Sequence, residues 1–74
     1  MRIISQDGKV SVDLYQVMLM VDDKYVQARW VDGKIYVLGR YRSEECAREV
    51  FDDIHTAYNL DESDVFHMPP IERV

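Results

Sequence analysis

The stretch Trp30-Val31-Asp32-Gly33-Lys34-Ile35-Tyr36-Val37-Leu38-Gly39-Arg40-Tyr41-Arg42-Ser43-Glu44-Glu45-Cys46-Ala47, continued to Tyr58, carries a turn, a strand and a helix start in that order. Asp-Gly between alternating apolar residues is a hairpin signal, and a two-residue type I′ turn is the simplest reading. Val31 then faces Lys34, and pairing runs outward through Trp30–Ile35, Arg29–Tyr36, Ala28–Val37, Gln27–Leu38 and Val26–Gly39 to Tyr25–Arg40. Side chains alternate along a strand. One face therefore collects Val26, Ala28, Trp30, Ile35, Val37 and Tyr41. The other collects Tyr25, Gln27, Arg29, Val31, Tyr36, Leu38 and Arg40. With Asp22-Asp23 as the preceding turn, the third strand adds Tyr15, Val17 and Leu19 to the first face, and Gln16, Met18 and Met20 to the second.

After the hairpin comes a helix, expected over about 43–58. Ser43 is a good N-cap, and Glu44 and Glu45 sit where the helix dipole favours anions. Ala47, Val50, Phe51, Ile54, Ala57 and Tyr58 recur at one-face helical spacing, Glu45, Glu49, Asp52 and Asp53 take the wet side, and Asn59 suits a C-terminal stop. One helix covers one face of a small sheet, and the apolar face with Trp30 is its natural seat.

Outward from this core, Ile3-Ile4 reads as a first strand, Asp7-Gly8 as a turn, and Val10 with Val12 as a second strand. Tyr15 to Val21 is a third, Lys24 to Val31 a fourth, Lys34 to Arg42 a fifth. Val65 to Met68 is a last strand stopped by Pro69-Pro70. The chain is thus expected to be α+β: one domain over 1–74, a small, mostly antiparallel sheet of about five to six short strands with one helix on one face, and a loose tail at 69–74.

Seventy-four residues support only a small core, about 60% of the unfolded surface being buried at this size. One cysteine, Cys46, allows no internal disulfide, and Cys46, His55 and His67 lack paired zinc-ligand spacing. Burial through self-association is the remaining route, so a homo-oligomer is expected. No apolar run of signal-peptide length follows Arg2, and none approaches the roughly 20 residues of a membrane span. With a lone cysteine, the expectation is a cytoplasmic protein.

The net charge of −5 is unevenly spread. Residues 1–43 carry five acids against seven bases, for +2, and residues 44–74 carry nine acids against two bases, for −7. The overall sign argues against direct nucleic-acid binding, which needs a basic footprint. Local basicity on the sheet half still suits a small anionic ligand.

The second sheet face holds the candidate site: Met18, Met20, Tyr25, Arg29, Tyr36, Leu38 and Arg40. An apolar patch of this size marks an interface. Two guanidinium groups between two phenols also suit a phosphate or nucleotide, by bidentate hydrogen bonds and stacking. An oligomer interface, where Tyr, Met and Arg are enriched, is the favoured reading of the same residues, and the two coexist where a pocket forms between subunits.

Other features are structural. The acidic helix side (Glu44, Glu45, Glu49, Asp52, Asp53) has the charge for mimicry of DNA phosphates, but such runs are ordinarily solvated. His55 and His67 have no catalytic or metal partner at a defined spacing and read as edge packing. Cys46 sits among acids that oppose a thiolate and reads as a buried small residue. No catalytic constellation, metal site or phosphate loop is present, so no enzyme and no cofactor are expected.

The opening Met1-Arg2-Ile3-Ile4-Ser5-Gln6-Asp7-Gly8, the segment Gly39-Arg40-Tyr41-Arg42-Ser43-Glu44-Glu45-Cys46-Ala47 and the late Val65-Phe66-His67-Met68-Pro69 resemble, in this arrangement, a family of short uncharacterised proteins from phages, prophages and Gram-positive bacteria. The family carries no agreed activity or catalytic residues. The resemblance implies a mobile-element accessory protein acting by stoichiometric binding, either sequestering a nucleotide-like signal or inhibiting a host defence protein. The alternative is a structural or regulatory homo-oligomer without a small ligand.

Overall fold

The helix forms where its cap and stripe place it. In the computed structural model, which describes residues 1–60 and 64–73, α1 spans Glu44–Leu60. Ser43 Oγ accepts a hydrogen bond from the Cys46 N–H at 3.2 Å, satisfying one of the first-turn donors that have no partner inside the helix. Ala47, Val50 and Ile54 are buried and Phe51 is half-buried, while Tyr58 lies at the exposed margin of the stripe. An exposed Glu44–Arg48 pair at 3.2 Å lies one turn apart and adds only about 0.3–0.5 kcal/mol.

Among the described residues, six strands surround the core, divided between two three-stranded sheets rather than joined in one. The first has the order β2-β1-β6, from Ser11–Asp13, Arg2–Ile4 and Val65–His67. β1 pairs antiparallel with β2 and parallel with β6. The second is the meander β3-β4-β5, from Val17–Asp22, Tyr25–Trp30 and Ile35–Arg40. This α+β arrangement has one shared core. Ile3 and Val12 come from the first sheet, Val26, Ala28 and Leu38 from the second, Ala47, Val50 and Ile54 from the helix, and Tyr41 and Met68 from the segments between.

The β1–β2 loop is built by its own side chains. Ser5 is buried, its Oγ donates to Asp7 Oδ1 at 2.6 Å, and it accepts from the Val10 N–H at 3.0 Å. The same Asp7 oxygen accepts from the Lys9 N–H, and Gly8 supplies the positive φ of 76° that the turn requires. These two donors, Ser5 first, hold the Asp7 carboxyl below its ordinary value.

Gln6, just past β1, ties the two sheets together. Its backbone N–H donates to Leu38 O at 2.7 Å. Its side-chain amide lies along β5 like a further strand residue: Oε1 accepts from the Arg40 N–H at 3.1 Å, and Nε2 donates to Arg40 O at 3.1 Å and to Pro69 O at 3.2 Å. Tyr41 completes this junction. Its hydroxyl donates to Pro69 O at 2.9 Å, its N–H to Lys24 O at 2.8 Å, and its ring lies over Gly39, where a Cβ would meet the hydroxyl at 2.8 Å. The segment 69–74, expected as a loose tail, therefore starts from a doubly bonded carbonyl. It continues as a 3-10 turn over Ile71–Arg73, and Val74 lies outside the described residues.

Two measurements test this junction. Gln6→Ala removes three side-chain hydrogen bonds at about 0.5–1.5 kcal/mol each, discounted for partial exposure, and denaturant unfolding should show a loss of about 1–3 kcal/mol. Tyr41 is only 1% exposed, and burial pushes its phenol up to about 12 from the ordinary 10. The folded chain thus holds this proton more tightly than the unfolded chain. Stability from this group is complete below about pH 10 and is lost as pH climbs toward about 12, by about 2–3 kcal/mol. Tyr41→Phe should flatten that alkaline limb while costing about 1 kcal/mol at neutral pH through the lost bond to Pro69.

Candidate functional site

The open face of the second sheet is set by two turns and a bulge. The β3–β4 turn is Asp23-Lys24, with Asp22 opposite Tyr25 and Asp23 at φ 54°. The pairing is displaced by two residues from the expected register. An even displacement preserves the faces, so Val17, Leu19 and Val21 still lie with Val26 and Ala28, and Met18 and Met20 lie with Arg29 and Gln27.

The β4–β5 turn differs more. A type I′ turn needs positive φ at both central residues, and of Asp32 and Gly33 only Gly33 has it, at 90°. The Gly33 N–H instead donates to Trp30 O, and the Trp30 N–H to Lys34 O, both at 2.9 Å, closing a three-residue loop, Val31-Asp32-Gly33. Asp32 Oδ1 caps it by accepting from the Lys34 N–H at 2.9 Å. The extra loop residue moves the register by one. Arg29 now faces Ile35, Ala28 faces Tyr36, and Gln27 faces Val37. Between Val37 and Gly39 a β-bulge inserts Leu38, after which Val26–Gly39 and Tyr25–Arg40 pair as expected from sequence.

These irregularities correct three expected positions. Leu38, expected on the open face, is 1% exposed and belongs to the core. Tyr36 falls in register with Ala28, on the side of the sheet that faces the helix, and keeps 38% of its surface exposed. Ile35 and Val37, expected beneath the helix, are 53% and 49% exposed and lie in register with Arg29 and Gln27. Val31 lies in the turn and is almost fully exposed.

The open face therefore brings together Met18, Met20, Tyr25, Arg29 and Arg40 from the expected site, keeps Gln27 where alternation placed it, and adds Ile35 and Val37. Met18 is 62% exposed. Tyr25 sits directly between Asp22 and Arg40. Arg29 stands four residues along the same strand, about 13 Å away. Among the described residues neither arginine makes an ion pair. Across the strands the rows are Met18–Arg29–Ile35, Met20–Gln27–Val37 and Asp22–Tyr25–Arg40, so the face is not a compact clamp of two arginines between two tyrosines. Ile35 and Val37 were missed because the loop length that exposes them is not encoded in the Asp-Gly pair itself.

At the Arg29 end the face runs into a shallow depression of about 480 Å³, lined by Tyr15, Gln16, Val17, Met18, Arg29, Trp30 and Val31. One wall is fixed from the helix: Tyr58 OH donates to Tyr15 OH at 2.9 Å, with the rings edge to face at 5.7 Å. The histidines lie elsewhere. His55 Nδ1 donates to Phe51 O at 2.8 Å one helical turn back, its ring 4.5 Å from that of Phe51, and His67 is exposed on β6. Among the described residues no three His, Cys, Asp or Glu side chains converge as metal ligands, and no helix is long and apolar enough to cross a membrane. No protein-family model, curated protein or solved structure matches the chain.

A pair of neighbouring substitutions checks the face assignment. Leu38→Ala should cost about 2–4 kcal/mol, as for a buried leucine, and Val37→Ala well under about 1 kcal/mol, as for a half-exposed site. Equal costs in denaturant unfolding, or the reverse order, would contradict the bulge.

Proposed function

We propose that this chain is a non-catalytic binding protein of the mobile-element accessory kind, which neutralises a host protein stoichiometrically through the open face of β3, β4 and β5. The observation that carries the reading is the make-up of that face. Exposed Met18 and Ile35 stand on either side of Arg29, Val37 stands beside Gln27 in the next row, and Arg40 lies beside Tyr25 in the row after that; neither arginine has an ion-pair partner among the described residues. Methionine, tyrosine and arginine interleaved on one exposed face are residues enriched in protein interfaces. The two arginines favour a target surface with acidic groups at the rim. The resemblance to short phage proteins points the same way.

Affinity capture from a Gram-positive host lysate, run with three versions of the protein, tests the site. A partner held by the wild type should be lost with Val37→Asp, and kept when the helix is neutralised by Glu49→Gln, Asp52→Asn and Asp53→Asn. The opposite pattern would move the binding to the acidic helix and sink this reading.

The depression favours a second reading, a small anionic ligand with a ring system, since it sets one guanidinium beside Trp30 and Tyr15. Nucleotides should then raise the melting temperature. Arg29→Ala should abolish the shift and Arg40→Ala should leave it, because only Arg29 lines the depression.

A further inference from the structure

A β-sheet edge carries backbone donors and acceptors that invite another strand, and natural proteins protect such edges with charge, proline, bulges, shortness or a cover. Among the described residues, three of the four sheet edges are protected in one of these ways. β2 and β6 are three residues long. β5 is interrupted by its bulge, bounded by Lys34 and Arg40, and covered at Leu38–Arg40 by Gln6. β3 has no such protection. It is six residues long and pairs with β4 without a bulge, and Val17-Met18-Leu19-Met20-Val21 carries no charge, proline or glycine. Among the described residues, no hydrogen bond between backbone groups outside the strand ladders reaches Val17–Asp22, whose ladder partner is β4 alone.

The outward groups can be assigned by counting. Asp22 and Tyr25 close the two-residue turn as a hydrogen-bonded pair, and bonded and non-bonded pairs alternate from there. Met18, Met20 and Asp22 therefore bond inward to β4, and Val17, Leu19 and Val21 direct their N–H and C=O groups outward.

We infer that β3 pairs antiparallel with β3 of a second copy, joining the two meanders into one continuous six-stranded sheet. A two-fold axis normal to the sheet keeps each face on its own side, so residues pair only with residues of the same parity. The outward-bonding set then puts Leu19 on the axis, opposite Leu19 of the partner subunit. Val17 meets Val21 of the partner subunit, Met18 meets Met20 of the partner subunit, and Gln16 meets Asp22 of the partner subunit. No like charges face each other in this register, and every outward group of the strand finds a partner. The junction also covers Met18, the most exposed methionine of the face. It merges the two open faces into one surface with Arg29 contributed twice. This inference does not rest on the binding function proposed above.

Sedimentation equilibrium reads the result directly. The wild type should be mostly dimeric at about 10 µM, as expected for a Kd near about 1 µM or tighter. M18K/M20K sets like charges across the junction and should give a folded monomer by circular dichroism, and so should M18E/M20E. Mixing the two variants should restore a heterodimer, which shows that the loss is electrostatic and not unfolding. In a Cys46→Ser background, L19C should form a disulfide-linked dimer under mild oxidation. M18C should not, because its two copies lie about 8 Å apart, two residues out of register. A wild type that stays monomeric at about 100 µM, a dimer that survives M18K/M20K, or cross-linking by M18C in place of L19C would each overturn the inference.

Discussion

The junction at Gln6 holds the molecule together. A 74-residue chain divided between two small sheets has too little area in either to stand alone, since a few short strands need a second layer to bury their apolar side. Gln6 supplies the link by acting as a strand residue twice over, once through its backbone N–H to Leu38 and once through its side-chain amide to both polar groups of Arg40. The Leu38 carbonyl that receives this bond belongs to the bulged residue, whose side chain is driven into the common core. One local distortion of β5 thus answers two needs, an acceptor for the first sheet and a leucine for the interior. Tyr41 seals the same corner by filling the space above Gly39 and bonding the carbonyl that Gln6 also reaches.

Much of this architecture is legible in the sequence because it rests on local chemistry. Ser43 before two glutamates and a 3.6-residue stripe specify α1 with little help from the rest of the chain, and Leu60 extends it only two residues past its expected end. The faces of β3 and β4 survive a two-residue error in the turn because side-chain direction depends on parity alone. The half of β5 next to the loop, Ile35–Val37, does not survive. Asp-Gly serves both a two-residue loop and a three-residue loop with glycine last, and these differ by one residue, the smallest change that turns a strand over. The bulge that restores the register at Gly39 is bonded on its outer side by Gln6, far away in sequence. The division into two sheets depends on β1 pairing in parallel with β6, at the other end of the chain, which no local pattern announces.

The candidate face followed the same logic. Its β3 and β4 members, Met18, Met20, Tyr25 and Arg29, stand where alternation places them, and Arg40 is recovered because it lies beyond the bulge. Tyr36 and Leu38 leave the face because they lie between the two irregularities, and Ile35 and Val37 enter for the same reason. The exchange changes the chemistry on offer. A pair of phenols between guanidinium groups suits one phosphate, whereas methionines, isoleucine and valine interspersed with separated arginines suit a broad, shape-matched surface.

The two one-residue irregularities of β5 also bear on how such a surface can evolve. The extra residue in the Val31-Asp32-Gly33 loop turns the strand over, and the extra residue at Leu38 turns it back, so only the short span between them is inverted. Loss of a single codon in the loop would make the pairing continuous through to Val26–Gly39 and abolish the bulge, bringing Tyr36 and Leu38 out together and Ile35 and Val37 in, so the core would lose its leucine. An insertion or deletion there re-dresses the exposed surface in one step, but only by moving Leu38 out of the interior. In this hairpin what the outer surface displays and what the core contains are tied to a single loop length.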